Sequence, residues 1–371
     1  MRGDCLNQNE ELIVRPFRHG DQAGIFALFS DGNSNASFVR TDEWWNWRHK
    51  DNPAGEAITW VAEADGKIVS HLSSVPLRAQ IMGKESVVVR GGDGKTLPAY
   101  RKQGIFSQLM LKTLEEGRAR GWALFLSLPS QQLHPTLIKL GWLDMERIPK
   151  FVKILHPGTV ASVVRKERGF AAGIAAHALA YYCSMRERAH IGGRALTDII
   201  VTEEERFGDA YDRFWGQISQ KIPNGVIRDA QYLTWRYSEN PLYRNGSNSS
   251  CKVFAVRKNK ELAGFMVLGC YTEKYRIGRI MEFQVLPRHA YVAGMLLKKA
   301  DHYFQEQHMD VIMAMAQNPF FDTRQMKQNG YFIDFTGKIL LSIRPMAIDD
   351  TSPALVRQSD WLVSWGENGA L

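Results

Sequence analysis

The 371-residue sequence has few cysteines, and those it has are scattered. Cys5, Cys183, Cys251 and Cys270 form no CxxC pair and have no spacing typical of metal ligands. This pattern argues against a disulfide framework and against a zinc centre, so we predict no metal. Isolated cysteines are typical of free thiols in a reducing compartment, and we therefore expect a cytoplasmic protein.

Long apolar runs are also missing from the chain. The N-terminal residues contain no apolar segment of the kind found in a secretory signal peptide. The most apolar stretch, Gly169–Met185, is short for a membrane span, contains His177 and is flanked by basic residues. We predict no stable membrane span and interpret this stretch as a buried helix between domains. A helix lying on a membrane surface is the alternative.

The chain has no dense run of basic residues, although it is basic as a whole. Its 47 Lys and Arg exceed its 39 Asp and Glu, which gives a formal net charge of +8. Such an excess suits an anionic ligand, for example a phosphorylated cofactor. A nucleic-acid-binding tail needs a denser basic segment, so we predict no nucleic-acid partner.

The chain does contain an internal repeat. The motif WNWRHKDNP at Trp45–Pro53 recurs as LTWRYSENP at Leu233–Pro241, 188 residues later. Further matches at the same or nearly the same offset are Gly20-Asp21 with Gly208-Asp209, Phe26 with Phe214, Arg40 with Arg228, and Leu97-Pro98 with Leu286-Pro287. A series of matches at one offset predicts two copies of one fold.

The repeat also predicts the domain organisation. We expect a first domain at 10–155, a helical connector at 156–199 and a second, degenerate domain with a C-terminal tail at 200–371. The tryptophans that the two copies share are interpreted as core anchors.

Each copy shows the same succession of predicted elements. In the first copy, the strands ITWVAEA, KIVSHLSSVPL and ESVVVRGGDG precede the helix SQLMLKTLEEGRARG. The short apolar run WALFLSL then follows, as expected for a strand buried on both faces. Strands on both sides of a strand–helix–strand crossover predict an α/β protein in which each domain has a mixed, mostly antiparallel sheet flanked by helices.

The segment TLPAYRKQGIFSQLM, Thr96–Met110, places cations and a glycine where a strand passes into a helix. The first N–H groups of a helix have no partner within the helix, and its dipole adds partial positive charge there. A glycine lets a ligand approach the main chain closely. With Arg101 and Lys102, these features predict a cradle for phosphate or pyrophosphate. The loop matches neither the P-loop nor the dinucleotide fingerprint, so ATP and NAD are poor candidates.

The sequence around this loop, residues 87–142, resembles the core of the GNAT superfamily of acyl-CoA-dependent N-acyltransferases, and the repeat extends the resemblance to the tandem-GNAT proteins. In that family a loop of the form Q/R-x-x-G-x-G/A holds the pyrophosphate of coenzyme A. The resemblance implies that acetyl-CoA, or another acyl-CoA, is the co-substrate. The residues to which it assigns cofactor binding are Lys95, Thr96, Leu97, Arg101, Lys102, Gln103, Gly104, Ile105, Phe106, Ser107, Ser130 and Gln131.

Two departures from the family pattern are visible. Phe106 stands where the family has a small residue. In the second copy, the matching segment Leu286–Phe304 keeps the Leu-Pro pair and the helix but has no R-x-x-G. The resemblance therefore implies one domain that can bind the cofactor and one that cannot.

Acyl transfer to an amine requires a neutral amine, a polarised carbonyl group and a proton for the leaving thiolate. Many family members supply that proton from a Tyr, but here the position is Leu137. His134 is the nearest replacement, since a histidine can exchange protons near neutral pH. Asp93 is the candidate base for the amine, and Glu63 is a lesser candidate. No Ser-His-Asp set or Cys–His pair stands out, which favours direct attack in a ternary complex over covalent catalysis.

We therefore expect an N-acyltransferase that transfers an acetyl group from acetyl-CoA to the primary amine of a small molecule, with amino sugars as the leading class. One alternative is a longer acyl chain delivered by acyl-CoA or acyl carrier protein, and another is aminoacyl transfer from charged tRNA. A third is a non-catalytic scaffold or sensor that binds acyl-CoA. The sequence leaves a homodimer open.

Overall fold

Two mixed sheets flanked by helices make up the computed structural model of the chain. The structure describes residues 11–30, 40–189, 200–244, 251–272, 275–315, 323–334, 339–348 and 352–367.

The first half of the chain, within these described ranges, contains seven strands, six α-helices and a short 3-10 helix at Pro98–Tyr100. Its strands are β1 (Leu12–Pro16), β2 (Ile58–Ala64), β3 (Lys67–Ile81), β4 (Lys84–Thr96), β5 (Leu124–Ser127), β6 (Leu143–Asp144) and β7 (Phe151–Ile154). Its helices are α1 (Asp21–Ser30), α2 (Asp42–His49), α3 (Ile105–Ala119), α4 (His134–Lys139), α5 (Pro157–Arg168) and α6 (Phe170–Ala189).

The second half repeats this succession and adds a C-terminal segment. Its strands are β8 (Ile200–Glu204), β9 (Asn224–Val226), β10 (Cys251–Lys258), β11 (Glu261–Thr272), β12 (Arg276–Val285), β13 (Val311–Ala314), β14 (Phe332–Ile333), β15 (Ser342–Pro345) and β16 (Trp361–Leu362). Its helices are α7 (Asp209–Ser219), α8 (Ala230–Leu233), α9 (Pro241–Arg244), α10 (Val292–Glu306), α11 (Arg324–Gln328) and α12 (Pro353–Val356).

Local signals set the ends of the elements that carry the site. The Thr41 hydroxyl accepts a hydrogen bond from the Trp44 N–H at 3.1 Å and so caps α2. Asp65 and Gly66 both have positive φ, which suits the tight turn between β2 and β3. Gly121, with φ of +72°, follows the end of α3.

The strand order is the same in the two sheets. The first sheet runs β1-β2-β3-β4-β5-β15-β6, and the second runs β8-β10-β11-β12-β13-β7-β14. The pairs β4–β5 and β12–β13 are parallel. All other neighbours on these two paths are antiparallel. The predicted fold class, two similar domains with mixed, mostly antiparallel sheets, is confirmed.

Each sheet contains strands from the other half of the chain. The second sheet takes β7, whereas the first takes β15 and also β9 and β16, of which β9 pairs with β3 and β16 pairs with β9. β7 pairs with β13 and β14 in the second sheet, and β15 pairs with β5 and β6 in the first. The division at 10–155, 156–199 and 200–371 stays a prediction about folding units, but β7, β9, β15 and β16 cross it. Each sheet needs the other half of the chain to place a strand next to its parallel pair.

The repeated tryptophans meet where the two copies join. Trp47 and Trp235 stack with their ring centroids 5.1 Å apart, and both are buried. Each indole N–H donates to the carbonyl oxygen of the other residue, at 2.7 and 2.9 Å. Such reciprocity is typical of a two-fold relation between equivalent surfaces. The interpretation of these tryptophans as core anchors is confirmed.

The connector is helical, but its second helix is exposed. Phe170, Tyr181 and Tyr182 on α6 are 68%, 67% and 58% exposed. The prediction of a buried helix at Gly169–Met185 is therefore wrong, because α6 packs mainly on α5 and leaves an apolar face in solvent. Among the helices in the described ranges, none has the length and apolar character to cross a membrane.

Candidate active site

The loop predicted to hold phosphate joins β4 to α3. Gly104 immediately precedes α3 and has φ of +78°, the left-handed region that favours glycine. A side chain at this position would find no atom within 4 Å, so the surroundings of Gly104 are open. No side chain caps the start of α3. The N–H groups of its first turn are therefore available to a ligand.

Side-chain hydrogen bonds within the loop hold its shape. Nε of Arg101 donates to the carbonyl oxygen of Thr96 at 3.1 Å, and Nε2 of Gln103 donates to that of Ala99 at 3.1 Å. Lys102 has φ of +63°, an uncommon conformation for a residue with a side chain. These residues are exposed, so the cationic groups of the loop lie at the surface beside the helix start.

The first residues of α3 anchor the helix in the first core. Ile105 is 1% exposed, and Ser107 is partly buried. Phe106 packs into the core of the first copy, next to Gly94 of β4. Its ring therefore lies against the sheet, and the larger side chain at this position leaves Gly104 open.

β4 and β5 separate close to this loop. Their parallel pairing ends at Arg90, whereas β4 continues to Thr96. A register shift in the pairing of β4 with β3 leaves Gly92 and Asp93 as a bulge. From the bulge onward β4 has no pairing with β5, and a gap opens between the two strands.

The strand-end residues predicted to bind the cofactor have partners of their own. Nζ of Lys95 lies 5.2 Å from the ring centroid of Phe29. The hydroxyls of Thr96 and Ser70 share a hydrogen bond at 2.8 Å. The N–H of Leu97 donates to a carbonyl oxygen of β3 at 2.9 Å. These contacts hold the end of β4 against β3. On its other side, the main chain of β4 faces the gap.

Asp93, the candidate base, lies in an ion pair. Its carboxylate is 3.2 Å from Nη2 of Arg40. Burial alone would raise the pKa of Asp93, but the guanidinium groups of Arg48 and Arg40 outweigh this effect and hold the pKa below its usual value. A carboxylate with a lowered pKa is a weaker base. The assignment of Asp93 as the base stays a prediction, without support from this geometry.

Glu63, the lesser candidate, lies elsewhere. It is on β2, which β3 separates from β4. Arg15 donates to its carboxylate at 2.6 and 2.8 Å and also pairs with Asp21 at 2.7 Å. The structure therefore does not bring Glu63 together with Asp93.

A group of basic residues surrounds Asp93 on its face of the sheet. We define this basic cluster as Arg40, Arg48, His49, His71 and Lys95. Arg48 and His49 are both 4% exposed, and His71 is 1% exposed. Burial lowers the pKa of His71 to about 4 and that of His49 to about 3, so both rings are neutral at pH 7. Sequence reasoning noted Arg48 only as a repeat match and missed the cluster.

A cleft of about 610 Å³ opens at the end of β5. His134 lies in its wall, with Nε2 at 2.8 and 3.0 Å from the carboxylate oxygens of Asp144. Asp144 also accepts a hydrogen bond from the Ser342 hydroxyl at 2.7 Å. Because Ser342 belongs to the exchanged strand β15, a residue of the second half orients the carboxylate that holds His134. Trp365 of the C-terminal segment completes the wall.

Ser130 and Gln131 line the same cleft between β5 and α4. The Ser130 hydroxyl accepts a hydrogen bond from the Leu133 N–H at 3.2 Å, which stabilises the turn into α4. Leu137, at the position of the family's Tyr, is fully buried and contributes to the core. Asp144 was not a candidate from the sequence, since nothing in its local pattern marks it as the partner of His134.

The second copy has a different loop before its helix. Tyr291 precedes α10 and has a right-handed helical backbone conformation. No residue of the fully described segment 287–292 has positive φ. The left-handed glycine and open helix start of the first copy are therefore not repeated.

Comparison with known families agrees with this geometry. The family model for the acetyltransferase (GNAT) domain matches residues 14–142. This chain carries a GNAT acetyltransferase domain. Proteins with this domain use acetyl-CoA or another acyl-CoA as acyl donor, and the open surroundings of Gly104 at an uncapped helix start fit the pyrophosphate of that co-substrate.

Solved structures extend the likeness from the GNAT domain to the whole chain. A GCN5-related N-acetyltransferase from Anabaena variabilis aligns with a TM-score of 0.60 at 13% identity, over 94% of this chain and 75% of that chain. A tandem GNAT protein from the clavulanic acid biosynthesis pathway aligns with a TM-score of 0.51 at 14% identity, over 92% and 100%. A fungal GCN5-related glucosamine N-acetyltransferase region aligns with a TM-score of 0.53 at 11% identity, over 90% and 38%.

At these identities the likeness establishes the tandem-GNAT fold. A search of curated proteins with the sequence found no match.

Proposed function

We propose that the chain is an acyl-CoA-dependent N-acetyltransferase that acts on the primary amine of a small molecule at the gap between β4 and β5. The observation that carries the proposal is the left-handed Gly104 at the uncapped start of α3, directly after the strand that leaves β5. Helix starts of this kind bind anions, and Arg101 and Lys102 add two full charges.

The chain's own residues divide the binding of the co-substrate between them. The main-chain N–H groups from Gly104 to Ser107 would hold the pyrophosphate, with Arg101 and Lys102 at its edge. Ser130 and Gln131 would contact the co-substrate from the side of β5. When bound, the co-substrate supplies an acyl group that a thioester has already activated.

We assign proton transfer at the site to His134. The carboxylate of Asp144 holds its Nε2, and Ser342 holds that carboxylate in turn. A histidine fixed in this way can accept a proton or donate one at a defined place. We propose direct attack by the amine, because no cysteine is among the described residues that line the cleft.

Amino sugars are the first acceptor class to test. A solved structure with the same fold is described as a glucosamine N-acetyltransferase region, and the basic character of the chain suits a sugar that also carries an anion.

Calorimetric titration with coenzyme A and acetyl-CoA tests the proposal. We expect the unchanged chain to bind with a Kd of about 1–100 μM. Gly104→Glu should abolish binding, because the side chain strains the left-handed backbone and puts a carboxylate where the pyrophosphate belongs. Gly121→Glu is the matched control, since Gly121 has φ of +72°, equally open surroundings and a place at the other end of α3.

The outcomes separate the alternatives. No binding by the unchanged chain would contradict the proposal. Equal loss in both glycine variants would trace the effect to the stability of α3 and not to the loop. Binding without turnover of any amine in a broad panel would favour the scaffold or sensor.

A further inference from the structure

Both copies place two arginines beside one strand carboxylate. In the first copy these are Arg40 and Arg48, which interact with Asp93 on β4. Their counterparts in the second copy, at offsets of 188 and 189, are Arg228, Arg236 and Glu282. The two places can therefore be compared residue by residue.

In the second copy the C-terminal segment fills the space beside the arginines. Nη2 of Arg228 donates to the Ser364 hydroxyl at 3.0 Å, and Nε of Arg236 donates to the carbonyl oxygen of Gly366 at 3.0 Å. A side chain on Gly366 would collide with Glu282, so the backbone of the segment lies directly against the carboxylate. Here the chain supplies its own oxygen acceptors.

In the first copy the described residues offer Arg48 no such acceptor. The residue is 4% exposed, and its Nε is buried without a hydrogen-bond partner. A side chain on Gly92 would collide with the guanidinium, which places that group against the bulge of β4. An unsatisfied buried donor costs about 1–3 kcal/mol, and more when it is charged. An oxygen acceptor from a ligand would remove this cost.

Two histidines near Arg48 also have buried nitrogen atoms whose hydrogen bonding is unsatisfied. Both ring nitrogens of His71 and Nε2 of His49 are buried without hydrogen-bond partners. Both rings are close enough to Asp93 to interact with its charge, as Arg48 is, so the three groups lie in one neighbourhood. Unsatisfied polar groups therefore converge beside the bulge.

The polar character of this place is particular to the first copy. His71 lies opposite Lys95 in the pairing of β3 with β4, and the second copy has Phe265 opposite Gln284 in the corresponding pairing. An apolar and a neutral side chain are thus replaced by a titratable ring and a cation. Among the described residues, Asp93 is the carboxylate that interacts with Arg40 and Arg48 of the basic cluster.

We infer that the basic cluster binds an oxyanion, a carboxylate or a phosphate, that the acceptor amine carries. Oxygen atoms of this anion would take the place that Ser364 and Gly366 occupy in the second copy, with Arg48 and His71 as donors. Because the cluster borders the bulge where β4 leaves β5, a bound anion holds the rest of the acceptor beside the gap. The reaction rests on the proposed function, whereas anion binding can be measured without it.

The first test is thermal denaturation of the full chain in sodium phosphate or sodium acetate, against sodium chloride of equal ionic strength. We expect one of the two oxyanions to raise Tm by a few degrees, and Arg48→Lys to lose most of that rise, because lysine lacks the planar fork of donors. Arg236→Lys is the matched control, since its acceptor is Gly366 of the same chain. Arg101→Ala should also keep most of the rise, which separates the cluster from the loop at Gly104.

The second test uses pairs of amines that differ in one anion. Glucosamine is compared with glucosamine 6-phosphate, and cadaverine with lysine, by the release of coenzyme A from acetyl-CoA. We expect KM to be about tenfold lower or more for the anionic member of one pair, and this preference to vanish in Arg48→Lys at an unchanged KM for acetyl-CoA. If Arg48→Lys does not fold, His71→Phe, which matches the second copy, takes its place.

Failure of the inference differs from failure of the proposed function. An Arg48→Lys variant that responds to both anions like the unchanged chain, or a preference for the member of each pair that lacks the anion, overturns the inference and leaves coenzyme A binding intact. An anion response that depends on Arg48, in a chain that binds no coenzyme A, overturns the proposed function and supports the anion site.

Discussion

The two copies of the repeat share a strand order but differ in how deeply an equivalent ion pair is buried. In the second copy, Arg228 and Glu282 lie 2.8 Å apart with side chains that are 1% and 0% exposed. In the first copy, Arg40 and Asp93 lie 3.2 Å apart with side chains that are 9% and 13% exposed. The second copy has enclosed this pair within its core, whereas the first keeps it at the edge of a site. One inherited position can thus support the core in one copy and remain within reach of a ligand in the other.

Alanine substitution of the tryptophans at the junction should cause the largest loss of stability, and the loss should be nearly equal in the two copies. Trp47→Ala and Trp235→Ala each remove a buried stacked ring and one of the two reciprocal hydrogen bonds, so each should lower the free energy of unfolding by about 3–5 kcal/mol. Urea denaturation followed by fluorescence measures both. Clearly different losses of unfolding free energy in the two variants would contradict the two-fold symmetry inferred for the junction.

The ion pairs should respond unequally to the same change. Arg228→Met leaves Glu282 buried and unpaired, and should cost about 3–5 kcal/mol of unfolding free energy. Arg40→Met should cost less, about 1–3 kcal/mol, because the pair is less completely enclosed and Arg48 still offsets the charge of Asp93. Both values come from the same urea titrations. Equal costs would contradict the contrast between an enclosed and an accessible pair.

His71, one of the two buried histidines of the basic cluster, should make stability depend on pH. The pKa of His71 is lowered from 6.5 to about 4, so the unfolded chain binds its proton first as the pH falls. The contribution of His71 to the free energy of unfolding is constant above pH 6.5. It falls by roughly 3 kcal/mol between about pH 6.5 and 4. His71→Phe, which matches Phe265, should remove this part of the slope in denaturation measured from pH 7 to 4.

His302→Gln is the control for this slope, since the side chain of His302 is 65% exposed and lies on α10. An unchanged slope in His71→Phe would mean that the ring of His71 is not buried and neutral as described.

The smallest effect should appear at the two loops. Arg101→Ala removes one charge beside Gly104 and should weaken binding of coenzyme A by about tenfold. Arg288→Ala, in the matching loop of the second copy, should leave Kd unchanged, because that loop has no left-handed glycine before α10. Titration calorimetry compares the two variants. A weaker Kd in Arg288→Ala would assign the second copy a part in binding.

The sequence was sufficient for the doubled fold and for the loop, because both follow from local signals. A constant offset identifies equivalent elements, and a glycine among cations before a helix has a definite physical meaning. The ion pair at Asp93 could also have been found. Glu282 stands at nearly the same offset from Asp93 as Arg228 does from Arg40, and an acid that recurs beside recurring arginines indicates a salt bridge and not a base.

The exchange of β7 and β15 could not have been predicted in the same way. Each strand is only four residues long, and both sheets offer it the same kind of apolar neighbours on either side. The choice between the two sheets depends on which parallel pair lies nearer in space. The contacts of Ser364 and Gly366 with arginines more than 100 residues away in sequence depend on proximity in the same way.

The exchanged strands also fix the order in which the molecule can be completed during synthesis. Ser342, which bonds to Asp144 in the first sheet, is 198 residues farther along the chain. The ribosome therefore makes almost all of the second copy before the first sheet can receive β15. β7, in contrast, is synthesised long before the sheet that it joins. The first sheet can therefore be completed only after the strands of the second sheet have been made.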